Sequence, residues 1–133
     1  MPPELMERAE EAFSTFATIE LKALTLVDKL VAEVDLDSQV KLFLAEPYEL
    51  PEPLTFGRNQ FKADRVARLR VIASEAMSER VRALRELGEY RAAGNIDGFT
   101  SALNAIERFA NNLARLFKSC REEVEDEAER FGK

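Results

Sequence analysis

Two charged residues interrupt apolar helical stripes, and they are the first candidates for chemistry. Glu20 stands among apolar residues of the first predicted helix, and Arg80 stands among those of the second long one. An inward carboxylate supports glycosidase or metal chemistry when a second one faces it, and the sequence offers only Asp28, at the flank. The pattern therefore favours a structural polar layer of Glu20, Arg80 and Asn112 that sets the helix register. Contact of Glu20 or Arg80 with a partner or ligand is the alternative.

The sequence has no histidine and a single cysteine, and this narrows the remaining chemistry. Histidine is the commonest general base and the commonest metal ligand. Cys120 falls within an apolar stripe, so we interpret it as a small buried hydrophobe, with a reactive thiol as the alternative. No Gly-rich phosphate loop or metal-ligand spacing is present in the sequence. We therefore expect a non-enzymatic protein without cofactor, metal site or small-molecule substrate.

A basic ridge lies at the start of the second long predicted helix. Arg58, Lys62, Arg65 and Arg68 recur at spacings of four, three and three residues, which places them on one side of the helix. Such a ridge can meet the phosphates of a nucleic acid. The hairpin expected after this helix sets Arg65 and Arg68 opposite the acidic run 122–129. Mutual neutralisation of the two clusters is the favoured interpretation, and a nucleic-acid ridge is the alternative.

The framework that positions these residues is predicted to be entirely helical. The chain has 133 residues, of which 46% are apolar and 33% charged, with five glycines, and this is typical of one folded helical domain spanning 1–133. We predict an all-α fold, an elongated bundle. Its elements are three long helices at about 4–35, 59–93 and 97–131, a short helix at about 37–45, and a Pro-rich extended strap over 46–58. The strap is expected to cover a flank of the bundle, with recognition of another protein as the alternative.

The first long helix carries a wide apolar face. Acidic residues crowd its first turns, where the helix dipole favours them, and apolar residues recur at helical spacing to its end. Phe16, Ile19, Leu26 and Leu30 belong to a stripe broader than two neighbouring helices usually cover. We expect this face to contact a second copy of the chain or a partner helix.

The two later helices are predicted to form an antiparallel hairpin around Gly94 and Asn95, with Asn59 and Asp97 as N-caps. The last helix has the most regular seam, in steps of three and four residues with one interruption at Glu127. The direction of the first helix relative to this hairpin is open. The predicted buried positions of the second long helix are Val66, Leu69, Ala73, Ala76, Met77, Leu84 and Leu87. Those of the last helix are Phe99, Leu103, Ile106, Ala110, Leu113, Phe117, Cys120, Val124 and Phe131.

Charge and composition complete the functional expectation. The formal net charge is −6, and acidic residues occupy the first turns, where a secretory signal would carry basic ones, so we expect a cytoplasmic protein without a membrane span. The favoured function is a helical protein–protein interaction or oligomerisation module, such as an adaptor, a chaperone-like protein or a small structural subunit. The alternative is a helical small subunit of a nucleic-acid-associated complex that uses the basic ridge.

Overall fold

The computed structural model describes residues 1–33 and 58–131, and within these ranges the chain is a bundle of three long helices. They are α1 (Pro3–Ala32), α2 (Arg58–Ala92) and α3 (Ile96–Phe131). The predicted all-α class is confirmed, and the three predicted long helices differ from these bounds by at most three residues. The predicted short helix at 37–45 and the strap residues 46–57 lie outside the described residues. None of the described helices combines the length and the apolar content needed to cross a bilayer.

Ion pairs between α1 and α2 show that these helices run antiparallel. Glu20 contacts Arg80 near the middle of both helices, and Glu33 at the end of α1 contacts Lys62 at the start of α2. Residue numbers therefore rise along α1 as they fall along α2. This settles the direction that the sequence leaves open, and it places the end of α1 and the start of α2 at the same end of the bundle.

The third helix runs antiparallel to α2 and parallel to α1. Arg68 of α2 contacts Glu123 of α3, as the hairpin register predicts, and Arg8 of α1 contacts Glu107 of α3. Since α2 and α3 contain 35 and 36 residues, each is about 50 Å long. The described part of the molecule is a rod with one end closed by the α2–α3 turn.

The core follows the seam of α3, where every predicted position from Phe99 to Val124 is buried. The interruption at Glu127 is buried as well. In α2 the predicted stripe is partly wrong, because Met77 and Leu84 are 46% and 52% exposed. The buried side of α2 is rotated toward Ile72 and Ala83. The physical reason is that the buried positions between Ile72 and Leu87 are all alanines, which allow neighbouring helices to pack closely and leave the larger side chains of this stretch outside. The buried residues of α2 are Val66, Leu69, Ile72, Ala73, Ala76, Ala83 and Leu87, together with Lys62.

The turn between α2 and α3 has a left-handed glycine at its centre. Gly94 has φ 66°, its amide donates to the carbonyl of Arg91, and the amide of Asn95 donates to the carbonyl of Tyr90. This pair of bonds is a Schellman motif, which satisfies carbonyls that the helix end leaves free. The chain therefore reverses direction within three residues.

Asn95 caps the following helix, where the sequence analysis assigned that role to Asp97. The side-chain oxygen of Asn95 accepts a 2.9 Å hydrogen bond from the amide of Gly98, so Asp97 lies in the first turn. A methyl group at Gly98 would stand 2.5 Å from the Tyr90 ring, so glycine permits this close turn. The other predicted cap, Asn59, also lies inside a helix, since α2 begins at Arg58.

We predict that Gly94→Ala lowers the free energy of unfolding by about 1–2 kcal/mol, because an L-residue in the left-handed region carries that penalty. Gly88→Ala is the matched control, since Gly88 lies within α2 and an added methyl there meets nothing within 4 Å. It should raise the free energy of unfolding by about 0.5–1 kcal/mol. Urea denaturation of dilute protein measures both, and equal effects of the same sign would contradict the assignment.

Candidate functional site

The predicted interaction face of α1 lies largely inside the bundle. Phe16, Ile19 and Leu30 are buried by α2 and α3, and Leu26 is half-buried. The expectation that these residues contact a second chain is therefore corrected for the three buried ones. The close approach of α2 explains the difference, because two neighbouring helices at short distance cover a stripe that wider spacing would leave open.

The longest row of exposed apolar residues lies instead on α2. Ser74, Met77, Val81, Leu84 and Gly88 follow one another in steps of three and four residues, so they share one side of the helix. We call these five residues the outer face of α2. All five are exposed, with Val81 at 59%. Sequence reasoning missed this face because it assigned Met77 and Leu84 to the core, although the alanine-rich buried side was a signal that the larger residues point elsewhere.

No charged residue interrupts the outer face of α2 over its central turns. The nearest charges on that side are Arg70 and Arg85, and the residues between them on the same side are neutral. This is unusual in a chain that is 33% charged. Scattered single apolar residues are normal on protein surfaces, but a continuous apolar row marks an interaction site.

The Glu20–Arg80 pair predicted from the sequence forms at the edge of this face. Arg80 Nη2 donates to Glu20 Oε1 at 3.4 Å, and the two side chains are 35% and 23% exposed. The antiparallel register then places Leu24, one turn after Glu20, beside Met77, one turn before Arg80. Leu24 is exposed, so α1 extends the apolar surface. The Glu20–Arg80 ion pair is thus half-buried and is bordered by exposed apolar residues.

The third predicted member of the polar layer lies elsewhere. Asn112 is exposed on α3, and within the described ranges no hydrogen bond joins it to Arg80. It precedes Leu113, which is buried in the seam, and the helical rotation turns Asn112 away from the bundle axis. The polar layer therefore consists of the Glu20–Arg80 pair alone. This pair can fix the alignment of α1 with α2, but it does not involve α3.

The basic ridge begins with a buried lysine. Lys62 is only 5% exposed, its ammonium group donates to the carbonyl of Glu33 at 3.3 Å, and it lies 3.5 Å from the Glu33 carboxylate. A cation at the end of α1 satisfies a free carbonyl and complements the helix dipole. Lys62 therefore joins α1 to α2. The side chain of Arg58 is outside the described part of the structure.

The other two residues of the ridge share one carboxylate of α3. Arg65 Nε lies 2.7 Å from Glu123 Oε2, but its N–H does not point at that oxygen, so the contact is an ion pair without a hydrogen bond. Arg68 Nη1 donates to the same oxygen at 3.2 Å. The guanidinium of Arg65 also stacks 4.2 Å from the Phe61 ring centre. Arg65 and Arg68 thus face the acidic end of α3, as the neutralisation hypothesis predicts.

A cavity of about 550 Å³ opens where α1 ends, α2 begins and the last turns of α3 run beside them. Its walls are mainly apolar, from Leu26 and Leu30 on α1, Phe61 on α2, and Phe117 and Val124 on α3. The sequence analysis did not predict this cavity, because it forms only where three helix segments meet.

Cys120 lies in the buried seam of α3, as predicted. Burial raises the pKa of its thiol, because a thiolate would lose its hydration there. Arg68 lowers this pKa and Glu123 raises it, and both effects are smaller than that of burial. Among the described residues, no three His, Cys, Asp or Glu side chains form a cluster that could hold a metal ion.

Comparison of the chain with protein-family models, with curated proteins and with solved structures finds no match.

We predict a coupling free energy of about 0.5–1 kcal/mol between Glu20 and Arg80, the upper part of the range for exposed ion pairs, because both side chains are partly buried. The measurement is a double-mutant cycle with Glu20→Gln and Arg80→Gln, followed by urea denaturation. The coupling should fall in about 1 M salt, where the screening length is about 3 Å. Arg85→Gln combined with Glu20→Gln is the control and should be additive. A coupling near zero at low salt would show that the pair adds no stability.

We predict that Cys120 in the folded protein reacts with iodoacetamide at least about 100-fold more slowly than an exposed cysteine at about pH 8, since reaction requires a thiolate and local opening. The matched control is Ser119→Cys combined with Cys120→Ala, because Ser119 is exposed. The pKa of the Cys120 thiol is higher in the folded than in the unfolded protein. Its ionisation therefore lowers the free energy of unfolding only when the pH rises above the ordinary thiol pKa. Equal labelling rates for the two proteins would contradict the assignment.

Proposed function

We propose that this chain is a non-enzymatic helical protein–protein interaction module that pairs with a second copy through the outer face of α2. The observation that carries the proposal is the exposed, uncharged row of Ser74, Met77, Val81, Leu84 and Gly88. Burying such a row against another helix removes apolar surface from water. Leu24 of α1 adds to the contact area beside Met77.

The order of residues on this face supports a second copy as the partner. Small residues stand seven positions on either side of Val81, with Ser74 before it and Gly88 after it. Met77 lies four residues before Val81, and Leu84 lies three residues after it. If two α2 helices pair antiparallel about Val81, Ser74 of one copy lies opposite Gly88 of the other, and Met77 lies opposite Arg85, one position from Leu84. A two-fold interface requires this self-complementary order.

Charge placement is compatible with the same arrangement. In the antiparallel pairing about Val81, Arg85 of one copy lies opposite Met77 of the other and away from its Arg70. The flanking Arg82 bonds to Glu79 and Glu86 of its own helix, so its charge is compensated within one copy.

The non-enzymatic part of the proposal is supported by the sequence, which lacks histidine and any Gly-rich phosphate loop. The nucleic-acid alternative is weakened by the ion pairs of Lys62, Arg65 and Arg68 with carboxylates of the same chain. A phosphate would have to displace Glu33 and Glu123 from these cations.

We predict that the wild-type protein is a dimer by light scattering at about 100 μM and that Val81→Glu is a folded monomer, because the substitution sets two carboxylates against each other in an apolar contact. Leu116→Glu is the matched control, since Leu116 on α3 is 57% exposed and Val81 is 59% exposed. It should remain dimeric. A monomeric wild type, or dissociation by Leu116→Glu alone, would overturn the proposed interface.

Cysteine cross-linking tests the direction of pairing. Val81→Cys should form an interchain disulfide on mild oxidation, because the two-fold axis brings residue 81 of both copies together, whereas the native Cys120 is buried. Ser74→Cys should not, since antiparallel pairing separates its two copies by about 21 Å at 1.5 Å per residue. Cross-linking of both variants would indicate a parallel dimer instead.

A further inference from the structure

The cavity between the end of α1, the start of α2 and the last turns of α3 adjoins a second, more polar depression between α1 and α3. This depression is lined by Lys22, Lys118 and Arg121, together with hydroxyl groups that include Thr18, and we call the three cations the cationic shelf. Lys22, Phe117 and Arg121 line both spaces. An apolar cavity and a cationic surface thus share one boundary.

The cations of the shelf are poorly matched by carboxylates. Within residues 1–33 and 58–131, Lys22 and Lys118 make no ion pair, and Arg121 reaches Glu125 only at 3.8 Å. Glu11 lines the shelf, and Glu125 lines the adjoining cavity beside Arg121. In a chain of net charge −6, three cations against these two carboxylates leave a local excess of positive charge.

Arg121 lies at the boundary between the cavity and the second depression. Its guanidinium carbon lies 5.6 Å from the centre of the Phe117 ring, and Phe117 forms part of the apolar wall. The aliphatic stem of an arginine can cover apolar surface while its charged end faces solvent. A ligand with its charged end at Arg121 would therefore have its apolar part directed along the Phe117 wall.

We propose that this paired site binds a single-chain fatty acid anion, with the carboxylate at the cationic shelf and the hydrocarbon chain in the cavity. The volume of about 550 Å³ lies within the range of about 300–1,000 Å³ usual for small-molecule sites. The apolar walls favour a hydrocarbon chain, and Lys22 with Arg121 complement one carboxylate through charge-assisted hydrogen bonds. This role goes beyond the proposed self-association and involves none of the residues of the outer face of α2.

The test is calorimetric titration of the full chain with dodecanoate, below its micelle concentration and at low salt. We expect one site per chain and binding at least about 10-fold tighter than that of the uncharged dodecanol, since one charge-assisted contact is worth about a factor of ten. Lys22→Gln combined with Arg121→Gln should abolish this preference for the anion. Arg115→Gln, at an exposed arginine of α3 that lines neither space, is the control and should retain it.

A second variant tests the place of the hydrocarbon chain. Thr25 is exposed at the rim of the cavity, so Thr25→Trp should obstruct the cavity without changing the core, and should weaken dodecanoate binding at least about 10-fold. Circular dichroism verifies that each variant is folded. Absence of saturable binding to the wild type would overturn the proposal. Binding unchanged by both variants would place the ligand elsewhere and would also overturn it.

Discussion

The buried seam of α3 is the constraint on which the rest of the structure depends. It presents an apolar side chain at each step of three or four residues from Phe99 to Val124, and every one of them is buried. A seam of this length is covered only when helices of similar length run beside it. The short turn at Gly94 supplies α2 as one neighbour, and α1 lies along the remaining side. The elongated three-helix form follows from this single requirement.

The close packing of α2 against its neighbouring helices determines which of its side chains are exposed. Between Ile72 and Leu87 the buried side of α2 is made of alanine, at Ala73, Ala76 and Ala83, while α3 contributes large side chains at similar heights, such as Leu113 and Phe117. Small residues on one helix allow large residues on its neighbour to fill the same layer. The larger side chains of this stretch of α2, at Met77, Val81 and Leu84, therefore point outward. The exposed apolar row and the buried alanines of α2 have one origin.

Some charged side chains join two helices through ion pairs, and others have little compensation from carboxylates. Glu20 with Arg80, Glu33 with Lys62, and Glu123 with its two arginines join one helix to another. Each is partly screened by solvent, so the individual contributions are small and their effect is mainly on alignment. The cationic shelf belongs to the other group, and it borders the cavity among the three helices.

The sequence by itself determined the helical class, the helix bounds within a few residues, the α2–α3 hairpin, the burial of the α3 seam from Phe99 to Val124 and the placement of Arg65 and Arg68 opposite the acidic run 122–129. These follow from local signals, since helical periodicity and a short turn fix direction and register together. Only the tertiary structure decided that α1 runs antiparallel to α2, that Phe16 and Leu30 are covered, and that Met77 and Leu84 are not. A periodic pattern states which residues are apolar but not how closely a neighbouring helix approaches. That distance depends on the side chains of all three helices. It determines which face of a helix is buried, which face is exposed and where a cavity remains.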